Sequence, residues 1–132
     1  ELPMLVRREL RKTLEATADG DKLTLNLAVN YGSRSEIVDA CRALAREVQE
    51  GELAPEDIDE GRLSDHLYTS GQPDPDLFIR TGGEMRLSNF LLWQLSYAEL
   101  HITDVLWPDF GEEEFLAALQ DFSARNRRFG GI

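Results

Sequence analysis

One stretch limits what this chain can become: residues 77–83, Leu-Phe-Ile-Arg-Thr-Gly-Gly. Leu77, Phe78 and Ile79 form a short continuous apolar run, the pattern of a strand buried on both faces of a parallel sheet. Parallel strands need long crossovers, usually helical, and with the further strands and helices expected along the chain this run reads as part of an α/β architecture. It ends in Arg80, which places a guanidinium at the carboxyl end of the strand, where open parallel sheets bind their ligands. Gly82 and Gly83 permit positive φ and leave room for a ligand against the main chain, and Arg86, Leu87 and Ser88 follow within one loop. Two guanidiniums, a hydroxyl and open amides have the chemistry of a phosphate or diphosphate cradle. The competing reading is a surface turn whose arginines pair with carboxylates such as Glu84.

The formal net charge of −11 over 132 residues argues against nucleic acid as a partner, and any anion must be met by a local basic patch. Besides Arg80 and Arg86, such patches occur at Arg125, Arg127 and Arg128 and at Arg7, Arg8, Arg11 and Lys12; the last group reads as a solvated helix face. The single cysteine, Cys41, excludes an internal disulfide, and its place among apolar helix positions marks it as a core thiol. No apolar run reaches bilayer length and no signal-peptide pattern opens the chain, so the expectation is a cytoplasmic protein with at most peripheral membrane association. His66 and His101 lack the spacing of a metal site. The opening Glu-Leu-Pro-Met, without an initiator methionine, suggests a piece of a longer polypeptide.

Periodicity supplies the rest. Val6, Leu10 and Leu14 line one face of a helix over 3–17 that should pack on a sheet. Leu23, Leu25, Leu27 and Val29 alternate with Thr24, Asn26 and Ala28, predicting a strand over 22–29 whose end carries Asn30 and Gly32 as turn residues or as neighbours of the cradle. Ser33 and Glu36 have the spacing of a capping box for a helix over 34–50 that ends at Gly51. Leu63 and Leu67 suggest a further short helix. Strands are expected at 76–80 and 99–105, with Ser88 or Asn89 capping a helix from Phe90 to about residue 97. Asp109 can cap a last helix with Glu112, Glu113 and Glu114 at its positive end, Phe115, Leu119 and Phe122 as its apolar stripe and Gly130 as terminator. Trp93, Leu91, Leu92, Leu95 and Tyr97 read as core or as a subunit interface rather than as an isoprenoid-binding stripe.

Residues 80–90, Arg-Thr-Gly-Gly-Glu-Met-Arg-Leu-Ser-Asn-Phe, followed by Leu91-Leu92-Trp93-Gln94 and Tyr97-Ala98-Glu99-Leu100, closely resemble the signature of the cis-prenyltransferases, the undecaprenyl diphosphate synthase family. Residues 25–32 with Arg34 and Glu36, the Trp-Pro-Asp-Phe at 107–110 and the Arg-Arg-Phe-Gly-Gly at 127–131 extend the resemblance over nearly the whole chain. The family's first half, with its Asp-Gly-Asn-Gly-Arg-Trp motif and catalytic aspartate, has no counterpart here. The resemblance therefore implies that residues 1–132 are the C-terminal half of a single α/β domain, part of a mostly parallel sheet flanked by helices and lacking the N-terminal strands. It implies an enzyme that condenses isopentenyl diphosphate with an allylic, farnesyl-like diphosphate to a Z-polyprenyl diphosphate such as undecaprenyl diphosphate, a carrier lipid of cell-wall assembly. By resemblance Arg80, Arg86, Leu87 and Ser88 bind the isopentenyl diphosphate, Glu99 is a ligand of Mg2+, and no catalytic residue lies in this chain. Met85 stands where some members carry a histidine, and methionine cannot serve magnesium. The N-terminal half and a second copy, forming a homodimer, are the implied partners, and Arg128-Phe-Gly130 resembles a tail that reaches a neighbouring site. Two rivals stand beside this: a non-catalytic subunit completing a heteromeric prenyltransferase, and an unrelated phosphate-binding α/β module.

Overall fold

The apolar run at 77–79 does form a strand. In the computed structural model, which describes residues 2–125, β1 (Leu77–Arg80) lies parallel to β2 (Glu99–Ile102), with Leu77 opposite Glu99 and Arg80 opposite Ile102. Hydrogen bonding continues past the strands. Thr103 N donates to Arg80 O, Gly82 N to Val105 O and Gly83 N to Thr103 O, each at 2.9 Å, so the diglycine turn is laced to the chain leaving β2. Gly82 and Gly83 take φ of 82° and 71°, the left-handed conformation that glycine adopts without strain.

The helices are α1 (Met4–Thr17), α2 (Ser33–Glu50), α3 (Glu60–Asp65) and α4 (Glu112–Ala124), with 3-10 turns at Pro55–Asp57 and Trp107–Asp109. Helix α2 ends as its glycine predicts: Gly51 is left-handed, its N–H reaches Val48 O, and Glu52 N reaches Glu47 O at 2.9 Å, which closes a Schellman motif. Asp59 caps α3, its Oδ1 accepting from Arg62 N at 2.8 Å. At α4 the cap position is Gly111 rather than Asp109, which is taken into the 3-10 turn, and Glu114 Oε2 accepts from Gly111 N at 2.9 Å. The chain divides between Tyr31 and Gly32 into two units. In the second, Ala40, Leu44, Leu67, Leu95 and Ala118 are the buried apolar side chains, and Ser33, Glu36 and Gln94 are buried among them.

Several expectations fail for physical reasons. Residues 22–29 are no strand: a strand exists only through a partner, none pairs with this segment among the described residues, and Leu23, Leu25, Leu27 and Val29 are exposed. The apolar face of α1 is likewise uncovered at Val6 and Leu14. Cys41 is exposed rather than a core thiol, because α2 buries Ala40 and Leu44 and turns the intervening position outward. No helix forms over 90–97. Leu91 has φ of 43°, and Leu92 N donates to Ser33 Oγ instead of to a helical carbonyl, so the segment is a run of turns. In α4 the buried position is Ala118, while Phe115 and Leu119 stay partly exposed. Gly130 and the 127–131 motif, with Arg127 and Arg128, lie outside the described residues. No helix among the described residues is long and apolar enough to cross a membrane.

Candidate functional site

At the carboxyl end of β1, Arg80 is turned back over the loop that follows it. Its Nη1 donates to the carbonyl of Arg86 and to Ser88 Oγ, the latter at 3.2 Å, which shapes residues 81–88 around one guanidinium. Its Nε is buried and meets no acceptor among the described residues. A buried donor left unpaired costs about 1–3 kcal/mol, so this N–H fits a site that an acceptor-rich ligand completes. Ser88 itself has φ of 50°. The other cradle residues are placed differently. Arg86 contributes its carbonyl, while its guanidinium is exposed and ion-paired with Glu84, as the surface-turn reading holds for that side chain. Leu87 is half-buried, and its carbonyl accepts from Phe90 N at 3.1 Å. Met85 points to solvent.

The loop is bolted to the start of α2. Asn89 O accepts from Ser33 N and Asn89 Oδ1 from Arg34 N, both at 2.9 Å, and Ser35 N returns to Gly32 O. These are the amides that a helix N-terminus leaves open. None remains for an anion. Ser33 and Glu36 accordingly form no capping box: Ser33 Oγ accepts from Leu92 N at 3.0 Å, and Glu36 Oε1 accepts from Tyr68 N at 2.9 Å and from Gln94 Nε2 at 3.2 Å. Gln94 Nε2 also reaches Thr69 Oγ1 at 3.0 Å. Phe90 packs its ring 6.1 Å from that of Phe78 on β1. Gly32 sits against this junction, where a Cβ would meet Asn89 Nδ2 at 2.9 Å.

Glu99 is not brought to the Arg80 cradle. It opens β2 opposite Leu77, whereas Arg80 stands opposite Ile102, so the two are separated by about 10 Å along the strand. Its Oε2 accepts from Arg125 Nη1 at 2.8 Å; the same Nη1 bonds Leu100 O at 3.0 Å, and Nη2 bonds Asp121 Oδ2 at 2.6 Å. His101 Nδ1 lies 3.0 Å from Asp121 Oδ2. The Arg125 bond, and after it the His101 bond, hold the Asp121 carboxyl below the usual range, and Asp121 and Glu99 raise the Arg125 guanidinium. As a hard oxygen donor Glu99 is of the type Mg2+ accepts, but one carboxylate is only one ligand. No three His, Cys, Asp or Glu side chains among the described residues converge on a metal position.

The histidines are structural here. His66 joins α3 to α2, with Nδ1 2.7 Å from Arg62 O and Nε2 against Glu47. Of the proposed apolar stripe, Leu95 is buried, Tyr97 is exposed, and Trp93 Nε1 donates to Ser64 Oγ at 3.0 Å, which makes it a packing residue. Asn30 belongs to the first unit, with φ of 59°. The connecting roles of Asn89, Gln94 and Arg125 were not anticipated from the sequence. Asn89 had a visible signal in its cap-forming side chain, which pointed to the wrong helix, and Arg125 had one in its basic cluster, which did not reveal its carboxylate partners.

Comparison with known proteins agrees with the fold and with the signature. A family model described as putative undecaprenyl diphosphate synthase matches residues 1–130. An isoprenyl transferase of Heliobacterium mobile is 52% identical over 132 residues, covering 100% of this chain and 51% of that protein. One of Geobacillus kaustophilus is 55% identical over 131 residues, again 51% of its length. The chain thus spans about half the length of the curated relatives it matches. Among solved structures, lavandulyl diphosphate synthase from Lavandula x intermedia, in complex with dimethylallyl diphosphate, superposes with a TM-score of 0.93 at 42% identity over 99% of this chain and 56% of that one. A probable undecaprenyl diphosphate synthase from Campylobacter jejuni gives 0.78 at 36%, over 99% of this chain and 59% of that one. With its parallel strand pair, its flanking helices and a family model running from residue 1 to residue 130, this chain belongs to the cis-prenyltransferase family.

Proposed function

We propose that this chain is the C-terminal half of a cis-prenyltransferase and that it supplies the pocket for isopentenyl diphosphate. The observation that carries the reading is Arg80: a guanidinium at the end of a strand, held by Ser88 and the Arg86 carbonyl, with one buried N–H left over for a ligand oxygen. A diphosphate spreads its charge over many oxygens, and a braced guanidinium offers charge-assisted bonds to them. Ser88 adds a hydroxyl, Leu87 the backbone that carries it, and Arg86 becomes a second cation once it leaves Glu84. The allylic diphosphate, farnesyl-like, is bound by the N-terminal half, and the product is a Z-polyprenyl diphosphate such as undecaprenyl diphosphate. Positioning is this chain's share of catalysis: it fixes the double bond of isopentenyl diphosphate beside the allylic carbon.

Glu99 is one ligand of Mg2+ in this reading, a role that rests on the resemblance. The ion, when bound, neutralises charge on the departing diphosphate. Within one chain Glu99 stands a strand's length from Arg80, so the cradle and the ion are held by separate parts of the fold. The exposed apolar side chains Met85, Tyr97, Leu106 and Trp107 call for cover, for which a second copy, docking through residues 88–105, is the proposed occupant.

The test is isotopic incorporation of isopentenyl diphosphate onto farnesyl diphosphate by the full-length enzyme, its Arg80→Ala variant and this chain alone. Arg80→Ala should lose about 2 kcal/mol or more in kcat/KM, roughly thirtyfold, mostly through the isopentenyl diphosphate KM. The chain alone should not turn over. An Arg80→Ala enzyme with parental kinetics would return Arg80 to the surface-turn reading.

A further inference from the structure

Between Ser88 and Leu91 the backbone does something a folded chain rarely tolerates: Ser88, Asn89 and Leu91, none of them glycine, take φ of 50°, 63° and 43°. Asn89 tolerates this conformation, but Ser88 and Leu91 are strained by it, and such strain persists only where the surroundings over-determine it. The surroundings here are specific. Asn89 offers both its carbonyl and its side-chain oxygen to the first amides of α2, Ser33 Oγ takes the amide of Leu92, and Glu36 takes the side-chain amide of Gln94. Helix α2 therefore fixes the strained loop, and the loop in return caps α2.

We infer that Asn89 is a positioning residue for substrate binding: by capping α2 from 55 residues away in sequence it holds Ser88, and through Ser88 the Arg80 guanidinium, in their bound arrangement before the substrate arrives. Asn89 bonds Ser33 and Arg34 rather than Arg80. Its effect passes through the backbone it shares with Ser88. Gly32 belongs to the same device, because any Cβ there would press on Asn89 Nδ2 at 2.9 Å. The inference rests on the assignment of Arg80 and Ser88 to isopentenyl diphosphate.

The experiment uses the full-length enzyme and separates backbone conformation from capping. Asn89→Gly keeps a residue that tolerates positive φ and removes the cap; Asn89→Asp keeps the oxygen; Gly32→Ala leaves Asn89 in place and crowds it. Asn89→Gly and Gly32→Ala should each raise the isopentenyl diphosphate KM about tenfold, leave the allylic KM near its parental value, and speed hydrogen exchange at the amides of Ser33, Arg34 and Leu92. Asn89→Asp should recover most of the loss. Parental exchange and parental KM in Asn89→Gly would overturn the inference, as would equal losses for both substrates, which mark a general loss of fold. Arg80→Ala and Ser88→Ala serve as references. If both leave the isopentenyl diphosphate KM unchanged while Asn89→Gly still loosens the loop, the substrate assignment is what fails, and the positioning role falls with it.

Discussion

Three glycines with similar positive φ provide a graded test of how the diglycine turn is built. Gly51, Gly82 and Gly83 have φ of 77°, 82° and 71°. A Cβ at Gly51 would meet no heavy atom within 4 Å; at Gly82 it would lie 3.9 Å from Leu106 Cδ2, ordinary van der Waals contact; at Gly83 it would come within 2.6 Å of Asp104 Oδ1. Alanine in the left-handed region costs about 1–2 kcal/mol, and the stiffer unfolded chain returns about 0.4–1 kcal/mol. Gly51→Ala and Gly82→Ala should therefore each lose about 1 kcal/mol. Gly83→Ala must also swing the exposed Asp104 carboxyl aside, a rotamer cost of about 0.5–1.5 kcal/mol more, for a total of about 1.5–2.5 kcal/mol. Urea denaturation midpoints at constant m-value measure the differences. The added loss should vanish in a Gly83→Ala, Asp104→Ser double variant, which keeps the φ strain and removes the carboxylate oxygen. Equal losses at all three glycines, or no recovery in the double variant, would refute the steric argument and leave only the backbone term.

Both ring nitrogens of His66 face oxygen acceptors, which favours the imidazolium, and its pKa is raised, first by the Arg62 carbonyl and then by Glu47. The stabilisation is complete below the unfolded-state value of about 6.5 and is lost as pH rises through the higher folded value, so the gap in urea midpoint between parent and His66→Gln should close on going from pH 6 to pH 9; a gap independent of pH would contradict the assignment. Cys41, exposed on α2, should titrate with an aromatic disulfide reagent in the folded protein as fast as in urea, whereas strong protection would restore it to the core. Glu36→Leu removes the acceptor for Tyr68 N and for Gln94 Nε2 in a buried setting and should cost about 2–5 kcal/mol by urea denaturation; a loss under 1 kcal/mol would show that those donors find other acceptors.

What could be read from the residues was whatever is decided locally. The apolar triplet at 77–79 and the glycines after Arg80 impose a strand and a left-handed turn whatever the rest of the chain does, and both appear. Gly51 ends α2 for the same reason. Most of the misses depend on a distant partner; Asp109, taken into an adjacent 3-10 turn, is a local exception. The alternation at 22–29 is a strand pattern without a pairing strand among the described residues, and Val6 and Leu14 of α1 are exposed. Ser33 and Glu36 have the spacing of a local cap, yet both side chains are recruited by residues 92 and 94, because burying the helix start brings unpaired donors of the loop against it. Spacing within one element cannot register such a competition.

The site divides along the same line. Arg80 and Ser88 were legible as a pair because eight residues of one loop separate them, and the structure does bring them together. Arg86 was grouped with them by the same closeness, but its guanidinium has a nearer carboxylate in Glu84 and takes it. Glu99, nineteen residues beyond Arg80, entered the set by resemblance alone, and the parallel register explains why spacing could not place it: a residue at the start of β2 is opposite the start of β1, not its end. That register also bears on the order of events in binding. In the proposed reading the cradle draws its side chains from one loop braced by α2, so diphosphate binding there would not require any group near Glu99. Substrate affinity at Arg80 should then be insensitive to Glu99→Gln in the absence of divalent cation, and equilibrium binding of isopentenyl diphosphate to the full-length enzyme in chelator measures it. Weaker binding by Glu99→Gln under those conditions would mean that the two ends of the strand pair act on one ligand and that the separation of cradle and carboxylate seen along β1 and β2 does not carry over to their function.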